Sequence, residues 1–196
     1  ATSIILQLLE PGILSDARWR IKLGSLRLIG ALIGSAPIPI AKELYHIIPL
    51  LIRLAWDTKR EVSTTAREVL NAACQTVDNR DIVSTLPALQ SALINSEEVA
   101  ECIHRLASTT FVQTVESQAL ALIVPLLLRG FSERKTAVKR QCIVIVVNML
   151  KLVEDPQEAA PFLPDLLAAV ARAKEEISDP EAREVAGRAH ERLSAI

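Results

Sequence analysis

Pro49, Pro87, Pro125 and Pro164 recur at intervals of 38, 38 and 39 residues, each ahead of or within a leucine-rich segment. A beat of that length marks a chain assembled from stacked helical units. Each unit is a pair of helices whose apolar faces cannot be buried without neighbours. At 196 residues the chain accommodates about five such units. Such arrays present long surfaces and seldom carry chemistry in their own residues, so function is to be sought in a partner.

Composition agrees. Half of the residues are apolar but only 3% are aromatic, so Leu, Ile, Val and Ala must do the packing, as suits a seam of interdigitated helices. The net charge of −1 advertises no nucleic-acid partner globally. The longest apolar run, Ala119–Leu128, contains Pro125 and is far short of the roughly 20 residues a membrane-spanning helix needs. The start of the chain has neither the basic residues nor the cleavage site of a signal peptide. Cys74, Cys102 and Cys142 are odd in number and lack CxxC spacing, which predicts buried thiols in a reducing cytoplasm rather than disulfides or zinc. The missing initiator Met, and a chain end at Leu193–Ile196 without a polar closing repeat, predict a piece of a longer protein.

The clearest unit reads as a first helix over Ile40–Trp56 and a second over Lys59–Val77, with Asp57 and Thr58 as the polar break. The plan returns as Asp81–Ile94 with Glu97–Ser108, as Glu116–Arg129 with Glu133–Val153, and as Gln157–Ile177 with Glu181–Ser194. Asp179 or Ser178 caps the last helix, with Pro180 in its first turn. Before these, Trp19–Ile33 reads as the second helix of a divergent first unit whose partner is Ser3–Leu14, and Leu8 takes that unit's proline position. The recurrent proline predicts a kink within each first helix. Kinked two-helix units of this length indicate HEAT repeats, with armadillo units as the structural alternative. The predicted fold is therefore all-α, a right-handed α-α superhelix of about five units: 1–36, 37–78, 79–113, 114–155 and 156–196, forming one solenoid.

No catalytic constellation stands out. His46, His104 and His190 fall one to a unit, without metal-binding spacing. Glu97–Glu98 and Glu175–Glu176 are neighbours in sequence and so diverge on a helix. Gly24, Gly30 and Gly34 lie in an apolar helical pattern with no following Gly-Lys-Ser/Thr, which predicts close helix packing instead of a phosphate loop. The chain reads as non-enzymatic, with no cofactor, metal or small-molecule substrate.

Local charge is more informative. Arg129–Arg140 holds five basic residues against one acid, whereas Glu154–Glu184 holds nine acids against three basic residues. A smaller basic run, Arg18, Arg20, Lys22 and Arg27, lies on the first helix. Arg134 and Lys135 fall at the start of a second helix, where cations oppose the helix dipole and add nothing to stability. Lys59 and Arg60 hold the same place two units earlier. Lys59, Arg60, Arg134, Lys135, Lys139 and Arg140 are the candidate partner contacts, through phosphates or an acidic protein surface. With few aromatics to stack bases, recognition of single strands is not expected.

Six segments carry a family resemblance: Trp56–Val62, Thr76–Ile82, Thr109–Val112, Ile123–Gly130, Lys151–Gln157 and Asp179–Val185. In order and register they resemble the N-terminal HEAT-repeat region of translation elongation factor 3, the fungal-type ribosomal ATPase. The resemblance implies a cytoplasmic, ribosome-docking α-solenoid that touches ribosomal RNA and ribosomal proteins. It implies ATP-hydrolysing cassettes downstream; this chain has neither a Walker motif nor a cassette signature. A protein-only scaffold is the alternative, such as the related HEAT segment of the ribosome-associated activator of the amino-acid-starvation kinase.

Overall fold

A computed structural model describes residues 18–195. The expected Ser3–Leu14 helix, with Pro11 and Leu8, lies outside the described residues. Two compact units are present, one ending at Asp78 and one beginning at Asn79. Every regular element among the described residues is helical.

The first unit contains α1 (Trp19–Ser35), the short α2 (Pro37–Ala41), α3 (Leu44–Leu54) and α4 (Arg60–Cys74). α4 packs along both α1 and α3. Apolar residues at helical spacing cause this: Leu26, Ile29 and Ile33 on α1, Leu44, Ile47, Ile48 and Leu51 on α3, and Val62, Ala66, Val69, Leu70 and Ala73 on α4 are buried.

The second unit contains α5 (Arg80–Val83), α6 (Leu86–Ile94), α7 (Val99–Ala107) after one 3-10 turn, α8 (Ser117–Phe131), α9 (Thr136–Leu150), α10 (Pro156–Ala159), α11 (Leu163–Glu176) and α12 (Pro180–Ser194). Its helices form two layers. In one, α6 packs on α8 and α8 on α11; in the other, α7 packs on α9 and α9 on α12. The α6–α7, α8–α9 and α11–α12 pairs join the layers. Such stacked hairpins are the HEAT plan.

The proline expectation needs correction. Pro49 and Pro125 do lie inside α3 and α8, where each withholds one helical N–H. Pro87 and Pro164 instead occupy the opening turns of α6 and α11, where no intrahelical donor is required. The helices expected over 81–94 and 157–177 are consequently broken in two, and so is the one expected over 40–56. At all three breaks the chain tightens through an i→i+3 bond: Glu43 to Ile40, Thr85 to Ile82 and Phe162 to Ala159, at 2.9, 2.8 and 2.9 Å.

The glycines are also redistributed. A Cβ at Gly30 would meet Val69 Cγ2 at 3.3 Å, which is close packing as expected, but nothing described lies within 4 Å of such an atom at Gly24 or Gly34. Among the described residues the tightest contact belongs to Gly130 on α8, where a Cβ would collide with Ile103 Cδ1 and fall 2.6 Å from Cys142 Sγ.

Candidate functional site

Each unit contains a cationic turn between the two helices of a hairpin. In the first unit, Lys59 is the N-cap of α4 and Arg60 its first residue. In the second, Arg134 precedes Lys135, the N-cap of α9. The two caps share an extended backbone, with φ and ψ of −85° and 116° at Lys59 and −76° and 114° at Lys135. Neither lysine side chain accepts or supplies the capping bond, and α9 has no acid in its first turn. All four side chains are exposed, and among the described residues none has an ion-pair partner.

Lys139 and Arg140 are arranged differently. They lie within α9 and face acids at the end of α11 and the start of α12. Lys139 is mostly buried and pairs with Glu176, holding that carboxyl below its ordinary range through its hydrogen bond and its charge. Arg140 reaches Glu181 at 3.6 Å and Asp179 at 4.0 Å. Arg129, counted in the same basic run, is part-buried on α8 and donates from Nη1 to the Ala92 carbonyl at 3.1 Å; desolvation lowers its pKa. The acidic run of 154–184 thus finds part of its complement within the second unit.

The first cationic turn carries a further group that composition did not suggest. Trp56 follows α3 and is 63% exposed. The Arg67 guanidinium lies 5.7 Å from its ring centroid, and Arg67 is itself held by the Ala55 carbonyl, to which Nε and Nη2 donate at 3.3 and 3.1 Å. Asp57, the acid beside it, accepts from Lys22 Nζ and from the Lys59 N–H, both at 2.9 Å. Burial pushes the Asp57 carboxyl up, but the hydrogen bonds and charges of Lys22 and Lys59 outweigh it and hold the carboxyl below its ordinary value. Its charge is therefore spent inside the turn. Of the few aromatic residues, Trp56 is exposed and sits beside cations.

The remaining candidates resolve simply. His46 and His104 are exposed and His190 half-buried, with His104 Nδ1 3.0 Å from Gln141 Nε2. The three thiols are buried and unpaired, and desolvation pushes Cys74 and Cys142 up to about 12 and Cys102 to about 11. Among the described residues no group of His, Cys, Asp or Glu is placed to hold a metal ion, and no helix is long and apolar enough to cross a membrane.

Residues 97–196 match the family model described as Elongation factor 3/GNC1 HEAT repeat. That match spans more than half of the chain. The chain belongs to the elongation factor 3 HEAT-repeat family. Residues 1–70 also match the model described as EF3 N-terminal HEAT repeat. Elongation factor 3 of Phytophthora infestans is 48% identical over 193 residues, covering 98% of this chain and 19% of that protein. Elongation factor 3A of Saccharomyces cerevisiae is 41% identical over 196 residues, covering 100% and 19%. Elongation factor 3 of Eremothecium gossypii is 42% identical over 185 residues, covering 94% and 18%. The chain thus spans less than a fifth of the length of these relatives.

Most segments that resemble this family have a structural task. Asn79 Oδ1 caps α5 through the Asp81 N–H at 3.0 Å, and Asn79 Nδ2 reaches the Thr114 carbonyl at 3.3 Å. Asp81 Oδ2 accepts from the backbone of Val112 and Gln113 at 2.7 and 2.8 Å. The loop beyond is tied onward: Thr114 Oγ1 donates to Glu154 at 2.9 Å, the Val115 N–H to the Leu152 carbonyl at 2.9 Å, and the Ser117 N–H to Glu158 at 2.7 Å. Three segments far apart in sequence therefore form one latch joining successive hairpins. Asp179 caps α12 through the Ala182 N–H at 3.3 Å, with Pro180 in its first turn as expected.

Proposed function

We propose that this chain is the non-catalytic, ribosome-docking HEAT module of an elongation-factor-3-like translation factor acting in the cytoplasm. The observation that carries the reading is the family match at both ends of the chain, 1–70 and 97–196. The cationic turns at Lys59–Arg60 and Arg134–Lys135 supply the chemistry. Four exposed cations with no ion-pair partner among the described residues suit phosphates of a folded RNA or acidic protein surfaces, through contacts that weaken as salt rises. Lys139 and Arg140 are further proposed contacts, and their pairing with Glu176, Asp179 and Glu181 makes their contribution conditional on exchanging one partner for another.

The second reading, a protein-only scaffold such as a starvation-kinase activator, is favoured by one observation: the model matching 97–196 names two families together. The match of residues 1–70 to a model named for elongation factor 3 alone weighs against it. Co-sedimentation of the chain with purified ribosomes tests the choice. Docking predicts retention at low salt and release as salt rises, without added ATP. An absence of retention at low salt would contradict docking and favour the scaffold.

A further inference from the structure

A lone exposed apolar side chain needs no explanation, but the surroundings of Trp56 are unusual. The indole is 63% exposed, although burying a large apolar side chain stabilises by about 1.5–3 kcal/mol. The backbone at this residue is held by its N–H donating to the Arg53 carbonyl at 3.2 Å, and the ring is met by Arg67, which is doubly bonded to the Ala55 carbonyl. The acid next to it is withdrawn, because Asp57 is 10% exposed and engaged with Lys22 and the Lys59 N–H. Lys59 and Arg60 extend into solvent three and four residues further on, with no ion-pair partner among the described residues. One turn therefore offers an anchored aromatic surface and two available cations.

That combination matches an unpaired nucleotide in an RNA. A base supplies the flat π-surface that stacks on indole, and its flanking phosphates supply the anions. An acidic peptide would satisfy the cations but has no need of a planar partner. We propose that the α3–α4 turn is a single-nucleotide anchor for RNA, in which an unpaired base stacks on Trp56 while Lys59 and Arg60 hold adjacent phosphates. The anchor deepens the ribosome-docking reading by naming what one turn recognises, and it rests on that reading for its biological setting. It also revises the expectation, drawn from scarce aromatics, that single-stranded recognition is absent.

The chain has two tryptophans, so a Trp19→Phe variant leaves Trp56 as sole reporter. Titration with a short oligoadenylate should quench Trp56 emission, and a blunt RNA duplex of equal charge should quench it far less. Binding of fluorescently labelled oligoadenylate should weaken roughly 5- to 100-fold in Trp56→Ala and largely recover in Trp56→Phe. Lys59→Ala with Arg60→Ala should weaken both RNAs and flatten the salt dependence. Unchanged thermal midpoints establish that these surface variants fold. Equal oligoadenylate affinity in Trp56→Ala and the parent, or equal quenching by single strand and duplex, overturns the anchor. Ribosome retention without Trp56 quenching rejects the anchor and leaves docking intact. Quenching without ribosome retention supports the anchor and rejects docking.

Discussion

Asp57 shows how a residue read as a simple polar break becomes an electrostatic joint. Its carboxylate ties α1 to the α3–α4 turn through Lys22 and orders the cap of α4 through the Lys59 N–H. Asp57→Asn should destabilise the chain by about 1–2 kcal/mol near neutral pH, the range for charge-assisted bonds of this kind. The folded carboxyl lies below its ordinary value, so its stabilisation is complete above the unfolded pKa of about 3.9 and is lost as pH falls through the lower folded value. Denaturation of both proteins across acidic pH should show the gap closing on acidification; a gap independent of pH contradicts the pairing. Gly130 makes a different point. Its neighbours, Ile103 and Cys142, lie too close to admit a methyl group. Gly130→Ala should therefore lower stability by about 1–3 kcal/mol despite alanine's better helix propensity, as read from a urea-unfolding midpoint. Sequence spacing pointed to Gly24, Gly30 and Gly34, and only Gly30 proved close-packed. Periodicity identifies a helix but not the point where two others cross it.

At the scale of elements, helix existence was legible and helix continuity was not. The positions Ile82, Leu86, Leu89 and Leu93, like Ala159, Phe162, Leu166 and Val170, keep their helical phase across the breaks and are buried on both sides. A one-turn tightening preserves the apolar stripe, so the pattern cannot register it. The caps were readable where the side chain itself bonds, as at Asp179, because short polar side chains at helix starts have few other uses. The latch could not be read, because its partners lie 31 to 41 residues apart. Asp81→Ala removes the charged acceptor shared by the Val112 and Gln113 N–H groups, and losing these charge-assisted bonds should cost about 1–3 kcal/mol. Amide exchange should rise locally over residues 109–116. Unaltered exchange there, with Asp81 removed, would show that the loop holds itself.

For the molecule as a whole, the repeat beat dictated an all-α, hairpin-on-hairpin chain, and residues between the prolines pointed to the family. The site was only partly legible. Lys59, Arg60, Arg134 and Lys135 stand exposed at equivalent cap positions, as their placement against the helix dipole suggested. Lys139 and Arg140 follow the same basic run but are met by acids from the next hairpin, a complement that one-dimensional charge counting separates. The exposure of Trp56 could not be read in advance, because exposure of a single ring does not register in composition. These distinctions choose the variant for the decisive test: reversing Lys139 or Arg140 would break internal pairs, whereas reversing the four cap cations should leave the hairpins intact. The measurement is the affinity of the chain for purified ribosomes across a potassium chloride series, for the parent and for Lys59→Glu, Arg60→Glu, Arg134→Glu, Lys135→Glu together. Electrostatic docking predicts steeply salt-dependent binding by the parent, with the slope reduced by about 1 per cation lost and the affinity reduced most at low salt. Identical affinity and slope in a folded quadruple variant would contradict it.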